Sequence, residues 1–361
     1  MKIVKYFLLF IGILFTVYCH IDRKLEINSS AVKTVKCETK QFRITNLCED
    51  ELEYMSWAVQ NDKYKTLKDL TVPELGKLTK ETLDVDKISA LFYLKSIQEK
   101  ETTKFLDYLD KNESITKYDY SKHNILLAVV PGMFYKDNPT VGADGRMLRD
   151  IALSMGLREE IVPIDQTGTT DENADFICNY LKNKTDTEKI ILTSVSKGSS
   201  DLKIAIKKCG QEGYFKKVIG WYNIGGINRG SILIDTIDNN WQYRWEAKFY
   251  FWKNNYNYKG FLSIQRGRDS RLEEDLAIPN HITVINVIAV PTFRQVTQRA
   301  RPFYEYLIRF GPNDGMTLLA DSYMEGAINV PSWRNDHYFQ WPIPENRIKA
   351  YFSYLIDGKK K

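Results

Sequence analysis

An unbroken apolar run, Ile125–Val130, is followed at once by Pro131 and Gly132. Continuous apolar residues rich in β-branched side chains are typical of a strand buried on both faces, as in a parallel sheet. Four further strand candidates follow at Ile161–Ile164, Lys189–Thr193, Lys217–Asn223 and His281–Val290. Helical patterns lie between them at Met147–Met155, Ala174–Leu181 and Ser199–Lys208. This alternation predicts an α/β fold with a doubly wound, mostly parallel sheet.

The preceding residues, 23–122, have a different texture, and we predict a separate helical region there. Apolar residues recur at helical spacing in Asp50–Val59, Val72–Leu83 and the long segment Val85–Leu109. No pattern in this region points to chemistry, so we interpret it as a packing or cap subdomain. A chain of 361 residues exceeds the usual size of one domain. The α/β domain is therefore predicted to span residues 123–361.

Residues 1–22 have the layout of a signal peptide. Lys2 and Lys5 accompany the apolar run Tyr6–Val17, and a polar stretch follows. About a dozen apolar residues fall short of the roughly 20 that a membrane span needs, so an uncleaved anchor is the weaker alternative. Cys19 stands where a bacterial lipoprotein carries its lipidated cysteine, although Tyr18 is larger than the small residue usual before it. We predict export, as a periplasmic, secreted or membrane-anchored bacterial protein, with the N-terminus as the route to envelope association.

Export would place the cysteines in an oxidising compartment. Without the signal segment, Cys37, Cys48, Cys178 and Cys209 remain, an even number that favours disulfides. Cys37 and Cys48 are the pair closest in sequence, but spacing leaves the connectivity open. No Cys and His pairs stand at zinc-site spacing, so no metal is expected.

The charges give no reason to propose nucleic acid as a ligand. The net charge of +5 comes from 51 basic and 46 acidic residues spread along the chain without a long single-sign block. The expected partners are instead small molecules or lipids.

An insertion of about residues 231–279 interrupts the α/β pattern and is dense in aromatic residues. These are Trp241, Tyr243, Trp245, Phe249, Tyr250, Phe251, Trp252, Tyr256, Tyr258 and Phe261. In a doubly wound enzyme, an insertion beyond the strand ends is placed to cover the active site. The same aromatics would also pack the insertion onto the domain, and both interpretations stay open.

The segment from Ile190 to Ser200 predicts a nucleophile. An apolar strand runs into Ser194-Val195-Ser196-Lys197-Gly198, and a helical pattern follows. In a sharp strand-to-helix turn, the central serine is exposed at the top of the sheet and small residues are needed two positions away on each side. Ser194 and Gly198 meet that requirement, although glycine is more usual than serine at the first position. We select Ser196 as the nucleophile.

A serine hydroxyl needs an imidazole to accept its proton and a carboxylate to orient that imidazole. Of the four histidines, His20 lies beside the signal segment, His123 precedes the first strand and His281 opens a later strand at the far end. His337 remains, and it lies after Ser196 in the chain.

The carboxylate is expected in a loop after a late strand. We select Asp314, in the turn-rich stretch Gly311–Met316. Asp321 is a competitor that we expect to cap a helix or face solvent. Asp336 is adjacent to the histidine and is poorly placed to reach Nδ1 of the next residue.

Acyl transfer also needs two N–H donors for the developing oxyanion. The backbone N–H of Lys197, directly after the nucleophile, is the first candidate. The second is Met133, because Gly132 allows the chain after the first strand to turn back over the site. An ordinary strand-ending Pro-Gly turn is the alternative interpretation.

Together these segments resemble the lipase and esterase branch of the α/β-hydrolase superfamily. The matching elements occur in the family's order: Pro131-Gly-Met, Ser194-Val-Ser-Lys-Gly, Gly225–Ser231, Asn313-Asp-Gly and Asp336-His. Pro131 and Ser194 depart from the usual histidine and glycine. The resemblance covers about residues 124–338 and implies an α/β-hydrolase fold and the catalytic set Ser196, Asp314 and His337. It also implies an oxyanion hole formed by Met133 and Lys197, and no cofactor.

The implied activity is hydrolysis of a small-molecule or lipid carboxylic ester through an acyl-enzyme, and the aromatic insertion favours an apolar acyl or aryl group. A thioesterase, amidase or polyester depolymerase would use the same residues. A non-catalytic envelope protein that binds a lipid or a partner is the alternative from another class.

Overall fold

The computed structural model describes residues 41–44, 47–267 and 270–358. The predicted signal segment, Cys19 and Cys37 lie outside these residues. Four helices come first: α1 Glu49–Asn61, α2 Val72–Thr82, α3 Val85–Gln98 and α4 Lys100–Asn112. None of the described helices combines the length and apolarity that a membrane crossing requires.

A six-stranded sheet follows. Its strands are β1 Ile125–Val130, β2 Arg158–Ile161, β3 Lys189–Val195, β4 Val218–Ile224, β5 Thr283–Val290 and β6 Ile328–Trp333. The helices between and after them are α5 Arg146–Ser154, α6 Thr170–Asn183, α7 Lys197–Cys209, α8 Ile232–Asn239, α9 Trp241–Lys253, α10 Tyr258–Leu262, α11 Arg301–Leu307, α12 Leu319–Ser322 and α13 Glu345–Asp357.

All strand pairs are parallel, in the order β2-β1-β3-β4-β5-β6. The predicted doubly wound sheet is thus confirmed. The chain passes from β1 outward to β2 and then returns to β3 on the other side of β1. This reversal of direction is the topological switch point, where ligands bind beyond the carboxyl ends of strands in such sheets. The segments that follow β1 and β3 meet there.

The two faces of the sheet bury different sets of side chains. In β1, Leu126, Ala128 and Val130 pack with α6, α7 and the insertion. Ile125, Leu127 and Val129 pack on the other face with α4, α5 and α13. The alternation follows from the two-residue period of a strand, and each fully buried aliphatic side chain stabilises the fold by roughly 2 kcal/mol.

The N-terminal helices share this core. Phe105 and Leu109 of α4 lie in the same buried cluster as β1, while residues of α1 to α3 pack against Ile288, Val290 and Trp333. The prediction of one continuous helix over Val85–Leu109 is wrong, because the segment forms two helices. Glu99 is extended, with φ −58° and ψ 130°, and separates α3 from α4.

Two edge strands differ from the prediction. The first is β2, which begins at Arg158 rather than Ile161. The other, β6, was not predicted, because Asn329 and Pro331 interrupt its apolar pattern. An edge strand has a neighbouring strand on one side only, and it tolerates polar residues and proline. Hydrophobic runs in a sequence therefore locate edge strands poorly.

Cys178 of α6 and Cys209 at the end of α7 form a disulfide, with the two Cα atoms 6.1 Å apart. The helices that it joins pack side by side on one face of the sheet. The disulfide therefore lies within the helical layer that contains α7.

Candidate functional site

Ser196 lies between β3 and α7 in a conformation unusual for a residue with a side chain. Its φ is 51° and its ψ is −121°, a region that costs about 1–3 kcal/mol unless surrounding contacts fix it. Its N–H donates to the carbonyl of Ile224, and its own carbonyl accepts from Ile227 and Ser199. A side chain at Gly198 would overlap the carbonyl oxygens of Val130 and Pro131. The predicted strand-turn-helix geometry is present, with small residues where it requires them.

Ser194, the departure from the usual glycine, is fully buried and hydrogen-bonded. Its Oγ accepts from Trp221 Nε1 at 2.7 Å and lies 3.1 Å from both Ser199 Oγ and Asn223 Oδ1. Serine therefore fits this turn because its hydroxyl has polar partners on β4 and α7. Those partners were not recognised in the sequence.

A row of asparagines continues from Ser194 across the sheet. Asn223, Asn286 and Asn329 occupy facing positions on β4, β5 and β6. Their side-chain amides are linked by hydrogen bonds of 2.9 and 2.8 Å. Buried polar groups are stable only when paired, and a paired row fixes the strand register. Polar residues spaced along separate strands give no local signal, so sequence reasoning missed the row.

The structure brings Ser196, His337 and Asp314 together. Ser196 Oγ lies 2.9 Å from His337 Nε2, and His337 Nδ1 lies 2.9 Å from Asp314 Oδ2. A carboxylate only accepts hydrogen bonds, so Nδ1 carries the proton and Nε2 accepts from the serine hydroxyl. The side chains of His337 and Asp314 are 7% and 3% exposed.

The turn around Asp314 fixes the direction of its carboxylate. Oδ1 accepts from the backbone N–H groups of Met316 and Thr317 at 2.8 and 2.7 Å. The backbone carbonyl of Asp314 accepts from the N–H of His337. One oxygen is thus held by the turn, and the other is left for the imidazole.

The two competing carboxylates lie elsewhere. Asp336 accepts from the N–H groups of Thr297 and Tyr338, not from the imidazole. Asp321 is buried and paired with Arg266 at 2.7 Å, so the expectation that it caps a helix or faces solvent is wrong. Burial raises the pKa of Asp321 to about 6 even though Arg266 opposes the shift. Its cation comes from the insertion, more than fifty residues away, and sequence reasoning could not connect them.

The other described histidines do not join this cluster. His281 Nε2 lies 3.3 Å from the carbonyl oxygen of Phe215. His123 packs beside the ring of Tyr120, before β1.

The two predicted oxyanion donors lie on the segments that meet at the switch point. Gly132 N–H donates to the carbonyl of Ala143 at 2.8 Å, which holds the segment carrying Met133. Lys197 is the first residue of α7, where backbone N–H groups lack helical partners. Within the residues that the structure describes, neither the Met133 nor the Lys197 N–H donates to another protein group.

The Lys197 side chain holds the first turn of α7 in place through a buried ion pair. Its Nζ pairs with Asp201 at 2.6 Å, and Asn173 donates to the other carboxylate oxygen at 2.8 Å. Both charged side chains are almost completely buried. Burial raises the pKa of the Asp201 carboxyl, with the Lys197 ammonium acting against it. A buried ion pair adds little net stability but fixes the position of the residues that form it. Here it fixes Lys197, the residue directly after Ser196.

The insertion lies at the carboxyl edge of the sheet, against the segments after β1 and β2. The Tyr256 hydroxyl donates to Asp137, and the Asn257 N–H donates to Thr167 Oγ1. The ring of Phe134, the residue after Met133, lies 5.0 Å from Tyr256 and 5.8 Å from Phe251. The insertion therefore contacts the proposed oxyanion segment directly.

A buried carboxylate of the N-terminal region supports the histidine loop. Glu51 of α1 accepts from Arg334 Nε at 2.7 Å, from Trp333 Nε1 at 3.0 Å and from Gln295 Nε2 at 3.0 Å. Burial acts to raise the pKa of Glu51, but hydrogen bonds from Arg334, the Cys48 backbone N–H and Gln295, together with the Arg334 charge, hold that pKa below its ordinary value. Arg334 has a φ of 70° and stands three residues before His337. No sequence signal pairs Glu51 with a residue so distant in the chain.

Replacing Glu51 with alanine is expected to lower the free energy of unfolding by about 3 kcal/mol. The change leaves a guanidinium and an indole N–H without their buried acceptor. Urea denaturation measures the loss. Glu53→Ala on the same helix is the matched control, because Glu53 is 69% exposed and pairs with Lys87 at 3.3 Å, an arrangement worth less than about 1 kcal/mol. Equal losses in the two variants would contradict a supporting role for Glu51.

Among the described residues, one group of side chains has ligand atoms close enough together for a metal ion. The atoms of Cys48, Asp50 and Glu51 lie within 4.8 Å of one another. Cys48 is disulfide-bonded, and both Glu51 oxygens are used by Arg334 and its neighbours. These occupied groups do not form a metal centre.

The comparisons with known proteins identify the fold. No family model matches the sequence, and no curated protein matches it. A metagenomic carboxyl esterase of known structure is 16% identical, with a TM-score of 0.53 over 67% of this chain and 78% of the esterase. The chain thus has the α/β-hydrolase fold, which confirms the predicted fold class and the resemblance at that level.

Other solved structures match with lower scores. A mature lipase from Bacillus licheniformis is 18% identical, with 68% of this chain and 94% of the lipase covered and a TM-score of 0.43. A carboxylesterase from Bacillus subtilis is 10% identical, with 71% and 98% covered and a TM-score of 0.34.

Proposed function

We propose that the protein is a serine-dependent hydrolase of carboxylic esters. The observation that carries this proposal is the continuous path of two 2.9 Å contacts from Ser196 Oγ through His337 to Asp314. A serine held at a strained turn, a base within hydrogen-bond reach and a third group orienting that base form the pattern of an activated nucleophile. The esterase of similar fold is consistent with it.

The reaction begins when Ser196 Oγ attacks the ester carbonyl carbon and His337 Nε2 takes the hydroxyl proton. Asp314 stabilises the resulting imidazolium. The N–H groups of Met133 and Lys197 bind the oxyanion of the tetrahedral intermediate, an effect worth about 3 kcal/mol for one donor. The intermediate collapses as His337 protonates the departing alcohol.

The acyl group is then bonded to Ser196 Oγ. A water molecule attacks the acyl carbon while His337 accepts its proton, and a second tetrahedral intermediate forms in the same oxyanion site. When that intermediate collapses, the carboxylic acid leaves and the proton returns from His337 to Ser196. The residues of the site complete both steps, with water as the second substrate.

A fluorophosphonate probe tests the proposal directly, because it phosphonylates an activated serine and remains attached. Incubation of the purified full chain and mass mapping of the peptides should place the adduct on Ser196. His337→Ala should slow the labelling, since the serine then lacks its base. A correctly folded protein that the probe does not label would refute the nucleophile and leave the non-catalytic envelope protein as the better interpretation.

The substrate class is tested separately with p-nitrophenyl esters of increasing acyl length, alongside thioester and anilide analogues. We propose esters with an apolar acyl or aryl group, since Phe134 and the insertion supply aromatic surface beside Met133. Preference for the longer esters supports this substrate class. A labelled enzyme that hydrolyses only the thioester or the anilide would keep the mechanism and overturn the substrate.

A further inference from the structure

Helix α9 exposes a stripe of large aromatic side chains to solvent. Trp241, Trp245, Phe249 and Trp252 are 70%, 67%, 38% and 75% exposed. Successive members of this set are four, four and three residues apart. Residues three or four positions apart are neighbours on a helix surface, so all four side chains lie on one face of α9. The rings of Trp245 and Phe249 stack with centroids 5.7 Å apart, and Phe249 lies 5.7 Å from Trp252. The ring contacts are continuous from Trp245 to Trp252.

The opposite face of α9 already has its partners within the protein. Tyr243, Ala247 and Phe251 are buried, and Phe251 contacts Phe134 and Phe261. The exposed stripe is therefore not needed to hold the helix in place. An outward surface of this size and apolarity on a helix with a packed inner face indicates a binding surface.

Basic side chains border the stripe on both sides. Arg244 and Lys248 are exposed along one border, and Lys253 is exposed near the other. The single acidic residue of α9, Glu246, is half-buried and stands seven residues before Lys253, so it lies on the same side of the helix as Lys253. Helical geometry thus gives this face an apolar centre and a positive border at Arg244 and Lys248.

We propose that this face of α9 docks on an anionic lipid–water interface. Tryptophan rings are favoured at the boundary between headgroups and acyl chains, and cations beside them attract anionic headgroups. Helix α9 carries three basic residues and one acidic residue. This net positive charge disfavours a second copy of this chain as the occupant, because two such faces would bring like charges together. This inference concerns binding alone and holds whether or not the protein hydrolyses esters.

The test is co-sedimentation of the purified full chain with vesicles of phosphatidylcholine, or of phosphatidylcholine mixed with phosphatidylglycerol. Binding to the mixed vesicles with a blue shift of tryptophan fluorescence is expected. The double variant W245S/W252S should lower the partition coefficient about tenfold or more. R244Q/K248Q should weaken binding to the mixed vesicles by about 25-fold, since each of the two cations contributes roughly a factor of five. The charge variant should leave weak binding to phosphatidylcholine unchanged.

Trp341→Ser is the matched control, because Trp341 is 56% exposed outside the insertion and should bind as the unaltered chain does. Thermal unfolding of each variant confirms that it is folded. Absent binding to the mixed vesicles, or equal losses in W245S/W252S and Trp341→Ser, would overturn the proposal. Concentration-dependent dimers that W245S/W252S abolishes, without vesicle binding, would identify a second copy as the occupant. None of these readouts depends on Ser196, so failure here and failure of the esterase proposal are distinguishable.

Discussion

Replacement of Ser196 by alanine is expected to lower kcat for a p-nitrophenyl ester by about 10⁴-fold or more, with little change in KM. The variant loses the attacking atom but keeps the oxyanion donors and the substrate contacts, so binding survives while the acyl-enzyme no longer forms. The methyl group fits the same position, because among the described residues Ser196 Oγ has His337 Nε2 as its hydrogen-bond partner and no other. Steady-state kinetics and loss of fluorophosphonate labelling measure the effect.

Ser154→Ala is the matched control for this change. Ser154 lies at the end of α5, and its hydroxyl donates only to the carbonyl of Ile151 in the same helix. Its kcat should stay within about a factor of two of the unaltered enzyme, as expected for a change remote from the site. Retention of more than a tenth of the activity in Ser196→Ala would show that another group is the nucleophile.

The sequence predicted most reliably what local chain geometry determines. The turn at Ser196 depends on residues within a few positions of it: an apolar strand before, small residues on both sides and a helix after. The Asp314 turn is equally local, because its carboxylate binds the N–H groups of Met316 and Thr317. His337 was selected by a different route, since only four histidines compete for the role.

Contacts between distant segments were not predictable in the same way. Glu51 reaches Arg334 across nearly the whole chain, and Asp321 is neutralised by Arg266 of the insertion. A buried charge is tolerated only with its partner, so burial and pairing are decided together by the tertiary fold. A single sequence shows each acidic residue without its partner, and Asp321 was therefore expected to cap a helix or face solvent.

The aromatic insertion is a further case in which the sequence did not predict contacts between distant segments. Its sequence pattern indicated many rings but did not separate those that pack from those that face outward. Phe251 and Trp252 are neighbours, yet one is buried and the other is 75% exposed. The direction in which α9 meets the protein decides this difference, and that direction depends on contacts with Phe134 and Tyr256 from other segments.

Replacement of Asp314 by asparagine is expected to lower kcat by about 10³-fold to 10⁴-fold while leaving the fold intact. The two backbone N–H groups that bind Oδ1 require an acceptor there, so the amide oxygen takes the Oδ1 position. The amide nitrogen must then face His337 Nδ1, where it donates a hydrogen bond rather than accepting one. His337 is consequently held with its proton on Nε2, and this tautomer does not accept the proton of Ser196.

The competing carboxylate supplies the control. Asp336→Asn exchanges an acceptor of the Thr297 or Tyr338 N–H and is expected to reduce stability, but the amide has no contact with the imidazole. Its kcat should therefore fall less than about tenfold. Steady-state kinetics of both variants, with NMR of the imidazole nitrogens, separate a tautomer effect from a loss of structure. If Asp336→Asn were the more damaging of the two and Asp314→Asn kept the Nδ1-protonated imidazole, the assignment of Asp314 as the orienting carboxylate would be wrong.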